Sequence, residues 1–163
     1  MKWILMALSL VVLQFWTHEQ VLNLEMETVV YHRIVNAMVL ASQDAVEDVI
    51  PSSTANGEPI FDQTEAAQTF RMTLANNLGL DPNTLQPLSN STFHVAPKIL
   101  DEEFYDWSNT TFPYHYVNSA YGINETLDAP SMVVVVQFTM PSYAANVPPF
   151  TITVPMVQSY AGS

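Results

Sequence analysis

Trp3-Ile-Leu-Met-Ala-Leu-Ser-Leu-Val-Val-Leu-Gln-Phe-Trp16 is the stretch on which the reading of this chain turns. Only Ser9 and Gln14 are polar within it, and Lys2 is the single charge ahead of it. The run passes without a break into a mixed segment, Thr17 to Ile50, and the first glycine or proline of the chain is Pro51. Those two residues disfavour helix interiors most strongly, so their absence predicts one helix over residues 2–50. Such a helix would be about 73 Å long, several times the usual length, and a small fold could not bury it alone.

The second half of this helix shows which side wants company. Leu22, Met26, Val30, Ile34, Met38, Ala41, Ala45 and Val49 recur at steps of three and four and form one stripe. Val21, Leu24, Val35, Val39, Val46 and Ile50 add apolar surface on other sides. A helix apolar over most of its circumference is expected among several neighbours.

Pro51-Ser-Ser-Thr-Ala-Asn-Gly-Glu-Pro59 reads as a loop, giving an N-terminal helix over 1–50, a linker over 51–61 and a head over 62–163. Asp62-Gln-Thr-Glu65 is a capping box, and it predicts a helix over about 62–78 that Gly79 closes. The period then changes to two. Phe93–Lys98, Phe112–Asn118, Met132–Met140 and Phe150–Val154 are the expected strands, the last continuing through Val157–Tyr160 past an edge or bulge at Pro155. A hairpin loop is expected over Pro141–Pro149. The fold class is therefore α+β: a long helix, then a head with one helix and a roughly four-stranded antiparallel sheet.

Composition narrows the function. The 163 residues carry 16 acids against 4 Lys+Arg, a net charge of −12, and no cysteine. Four cations cannot neutralise a row of phosphates, which argues against nucleic-acid binding. Cysteine chemistry is absent, and there is neither a Gly-x-Ser-x-Gly elbow nor a phosphate-cradling glycine loop. No catalytic residue, metal ligand or cofactor is expected. His18-Glu19 lacks the His-Glu-x-x-His spacing, Glu27 and His32 miss the Glu-x-x-His pattern, and His94 and His115 stand alone. Asp101, Glu102, Glu103 and Asp106 cluster without the alternation of a calcium loop, so a solvated acidic face is expected.

The first segment could be a cleaved signal, a membrane span or a helix core. A signal would show small residues before its cleavage point, whereas Thr17-His-Glu-Gln follows here. A span needs about 20 apolar residues, more than the run supplies before His18 and Glu19. A helix held in a membrane and later packed against copies of itself fits best.

This layout, an apolar helix flowing into an amphipathic half, then a loop and a small antiparallel head, resembles type IV pilins, including tight-adherence and archaeal relatives. The resemblance spans the whole chain and rests on architecture. Bacterial members usually carry glutamate at the fifth mature position, where this chain has Leu5 counted from Met1, and many have paired cysteines that are missing here. The resemblance implies a cell-surface filament of identical subunits, inserted in the cytoplasmic membrane before assembly. Trp3, Ile4, Leu5, Leu8, Val12, Phe15, Leu22, Met26, Val30, Ile34 and Met38 are the expected assembly core.

Arg33 has neither Glu25 nor Glu27 at a helical contact spacing of three or four, which leaves two readings: it pairs with one of them on another copy and sets register, or these side chains simply reach water at the helix surface. Asn90, Asn109 and Asn124 begin N-glycosylation sequons. Seven aromatics crowd residues 104–121 (Phe104, Tyr105, Trp107, Phe112, Tyr114, Tyr116, Tyr121), expected as core or contact residues. They also define the alternative, a single-span membrane-anchored binding domain with an aromatic ligand surface.

Overall fold

The computed structural model describes residues 2–142 and 148–162. Helix α1 runs unbroken from Lys2 to Val46, about 67 Å at 1.5 Å per residue. It ends four residues short of the expected Ile50. Glu47 and Asp48 turn back on the Asp44 and Ala45 carbonyls, Val49 bridges to Phe61, and Ile50 is extended at ψ 117° because proline crowds an α-helical predecessor. A single turn, α2 (Pro51–Thr54), follows, then α3 (Gln63–Leu78). The N-cap and the glycine stop form as expected, but the return half of the capping box does not, because the Asp62 N–H goes to the Asp48 carbonyl in place of the Glu65 side chain. Asp62 accepts from the Glu65 backbone N–H, and Gly79 closes α3 in the left-handed conformation at φ 69°.

The expected linker is a pinned loop. The Ile50 N–H donates to the Ile60 carbonyl at 2.8 Å, and the Asp62 N–H donates to the Asp48 carbonyl at 2.9 Å. Ser53 and Phe61 are buried within it. These bonds fold α3 back against α1, and Thr73 Oγ1 donating to Asp44 at 2.7 Å ties the two helices again.

The strands described are β1 (Lys98–Tyr105), β2 (Tyr114–Asn118), β3 (Ile123–Leu127), β4 (Ser131–Met140) and β5 (Phe150–Ser159). The α+β class holds, but the count is five strands in two antiparallel sheets, β1-β4-β5 and β2-β3, in place of about four in one. Phe93–Lys98 is not a strand; β1 starts where that segment ends and carries the acidic residues. Pro155 sits within β5 opposite Val135, tolerated because β5 is an edge strand. The centre of the loop expected over Pro141–Pro149 lies outside the described residues.

β4 explains its own composition. Met132, Val134, Val136, Phe138 and Met140 join the main core with α1 and α3, while Val133 and Val135 join a second core under the β2–β3 hairpin. A strand covered on both faces needs a continuous apolar run, which the Val-Val-Val-Val sequence supplies. The molecule is thus layered as helices, central sheet and hairpin. The main core reaches into α1 only from Val30 onward, through Ile34, Ala37, Met38, Ala41 and Ala45.

Candidate functional site

α1 divides sharply by burial. Every residue from Lys2 to Glu19 is exposed, although this stretch is the most apolar in the chain. Trp3 is 81% exposed, Leu5 67% and Phe15 70%. The exposed apolar side chains lie on all sides, since Ile4, Leu5, Met6, Leu8, Leu10, Val11, Val12 and Leu13 follow one another with little interruption. Among the described residues α1 is the one helix long and apolar enough to cross a membrane. A signal segment or a filament core would meet the same description.

The expected assembly residues therefore fall into two groups. Trp3, Ile4, Leu5, Leu8, Val12, Phe15, Leu22 and Met26 are exposed, Leu22 at 47% and Met26 at 42%. Val30, Ile34 and Met38 are buried in the protomer's own core, at 3%, 0% and 0% exposure. They hold the head to the rod, and only the N-terminal group remains exposed.

The register residues are separated too. Glu27 is half-buried and accepts a hydrogen bond from Asn23 on the same helix. Glu25 is exposed and, among the described residues, has no hydrogen-bond or ion-pair partner. Arg33 is exposed but fixed: Nε and Nη2 donate to the Asn77 carbonyl at 3.2 and 2.9 Å, and Nη1 donates to Thr92 Oγ1 at 3.2 Å. Asn77 lies in the last turn of α3, where carbonyls lack helical partners and the helix dipole favours a cation. An open groove of about 460 Å³ runs beside this guanidinium, lined by Val29, His32, Asn36, Ala37, Leu40 and Asn77. The sequence marked Arg33 as an isolated cation, but its hold on α3 and the groove arise only from tertiary packing.

The other candidates resolve by position. The acidic cluster alternates along β1: Glu102 meets Arg71 of α3 at 2.9 Å, while Glu103 accepts from the Tyr105 hydroxyl at 2.7 Å. Asp106 is fully buried and receives the Phe61 N–H and the Ser108 N–H and hydroxyl. These acids are spread between structural roles, not gathered on one solvated face. Burial holds the Glu102 carboxyl above its ordinary range, with Arg71 acting in the opposite sense. Among the described residues no three His, Asp or Glu side chains are placed to hold a metal.

The aromatics are largely spent on packing. Phe104 meets Phe61 at 5.7 Å between ring centres in the main core. Tyr105 stacks on Tyr114 and meets Tyr116 edge-on, each at 5.3 Å, against the second core, where Phe112 and Tyr121 also pack. Burial of the Tyr105 and Tyr116 hydroxyls pushes both phenols up, Tyr105 strongly. Trp107 and Tyr114 keep an exposed edge, 40% and 38%. The sequon residues Asn90, Asn109 and Asn124 are all exposed. The Asn109 amide is engaged, donating to the Phe104 carbonyl at 2.8 Å and accepting from the Asp106 N–H at 3.0 Å.

The fold, a long apolar helix leading into a small head with antiparallel sheets, is compatible with pilin-like architecture. No protein-family model, curated protein or solved structure matches this chain.

Proposed function

We propose that this chain is the structural subunit of an extracellular, pilus-like helical filament, built by packing N-terminal helices of identical copies against one another. The observation that carries the reading is the rod of α1: from Trp3 to Trp16 its apolar side chains are exposed on every side. A contiguous apolar surface of this kind calls for a covering layer. Each Leu, Val or Phe side chain removed from water there contributes about 1.5–3 kcal/mol. Lipid can cover the rod in the monomer, and other rods can cover it in the assembly. The net charge of −12 keeps the outward heads apart.

The rival reading, a membrane-anchored domain that binds a ligand through its aromatics, draws on the exposed edges of Trp107 and Tyr114. The remaining aromatics are committed to the two cores, which leaves little surface for such a platform. Electron cryo-microscopy of sheared cell-surface material separates the two. Fibres containing this chain, with residues 3–16 against other copies, support the filament. A discrete particle released only by detergent, with no fibres, overturns it.

A further inference from the structure

The groove at Arg33 has a matching surface on the same helix. We propose that it receives the α1 of a second copy of this chain, with that copy's Glu25 on the Arg33 guanidinium. The contact rests on the filament reading and adds to it a specific axial offset.

Three observations select this partner. First, Arg33 is a prepared cation. Of the five N–H groups of a guanidinium, three are held by Asn77 and Thr92, which fix its place and leave two free in the groove. A side chain already ordered loses little entropy on pairing.

Second, among the acids nearby on α1, Glu25 is the one that is both exposed and turned away from the head. Glu27 is half-buried and bonded to Asn23. Glu19 is exposed, but at 100° per residue it lies only about 60° around α1 from the face turned to the head. Glu25 is exposed and unpaired among the described residues. At 100° per residue Glu25 lies roughly 180° around α1 from the face that Val30, Ile34, Met38, Ala41 and Ala45 turn to the head. A neighbour presenting Glu25 therefore keeps its own head clear of the contact.

Third, an exposed apolar flank stands beside each charge. Val29 lies one turn before Arg33 in one row of α1, while Ala37, one turn after it, is buried in the protomer's own core at 2% exposure. Val21 and Val29 flank Glu25 in a second row at the same four-residue spacing. Val21 and Val29 are 51% and 61% exposed. Laying one row on the other with the helices parallel shifts the copies by eight residues, about 12 Å along the axis. Glu25 and Arg33 are about 80° apart around one helix and the copies are related by a parallel shift, so the contact is head-to-tail and propagates as a filament instead of closing as a dimer.

The test is charge reversal in the full-length chain, read by the concentration needed for assembly and by cryo-microscopy of the fibres. Glu25→Arg removes no bond that holds the head, so folding is preserved; it should raise the critical concentration up to about five-fold, the upper range of an exposed pair. Arg33→Glu should do the same, with thermal melting reporting any loss of its bonds to Asn77 and Thr92. The double reversal Glu25→Arg/Arg33→Glu should return assembly to within about two-fold of the parent, a recovery that general loss of charge or of fold would not give. Adjacent rods should be offset by about 12 Å. Fibres of the parent chain with a different offset, or Glu25→Arg assembling like the parent, overturn the pairing and leave the filament standing. No fibres from the parent chain overturn both.

Discussion

Gly79 closes α3 at φ 69°, a conformation that β-carbons oppose, and Ser91 and Asn90 already lie 3.4–3.6 Å from where a Cβ would stand. Gly79→Ala should therefore cost about 1–2 kcal/mol through backbone strain, measured as a lower denaturant midpoint with an unchanged slope. Glu102 makes the opposite case. Its carboxyl is shifted up from 4.5 by burial in spite of Arg71, so the folded protein binds this proton more readily than the unfolded chain does. The ionised side chain is thus a liability that is fully present above its folded pKa and relieved as pH falls through that value towards the ordinary one. Its Oε1, buried with no hydrogen-bond partner, points the same way. Glu102→Gln is expected to leave the Tm at pH 7 unchanged or higher and to flatten the Tm–pH curve just above pH 4.5. A clear loss of Tm at pH 7 would mean that the ion pair with Arg71 outweighs the burial.

At the scale of elements, β4 is the pivot of the head and the rod is its counterpart. Phe138 is 1% exposed in the main core, and Phe138→Ala should lower stability by about 3–5 kcal/mol. Leu8 is 63% exposed, and Leu8→Ala should leave the melting of the head unchanged while weakening assembly or membrane insertion. Thermal melts of both variants in detergent check the contrast.

Elements governed by local rules were legible in sequence. The rod followed from missing helix breakers, α3 from Asp62 and Gly79, and β4 from its β-branched run. β1 was hidden because Asp101, Glu102 and Glu103 look like a solvated patch until α3 supplies Arg71. β3 was hidden because only Ile123 and Leu127, its two ends, are buried, so no alternation shows. The surface of the rod was readable from residue type, whereas the Arg33 groove depends on residues 44 and 59 positions away in the chain. Both edges of the three-stranded sheet are guarded as well. Pro155 removes a donor from β5, and β1 breaks register between Ile99 and Asp101.

For the whole molecule, one helix serves two structures. The main core starts at Val30, and no residue from Lys2 to Glu19 is buried. A chain lacking residues 2–19 should therefore keep the head's melting temperature and run as a soluble monomer in size-exclusion chromatography. Aggregation or unfolding of that variant would mean that the rod supports the head after all.

The unbroken passage of α1 from the exposed rod into the centre of the head has a mechanical corollary. Tension on one end has no slack hinge to straighten, since the hydrogen-bonded spiral carries the load directly to β4 and α3. Pulling α1 out of the head then requires shearing its Ile34, Met38 and Ala41 lengthwise past α3 and β4 all at once, a mode in which packed surfaces resist together instead of peeling one contact after another.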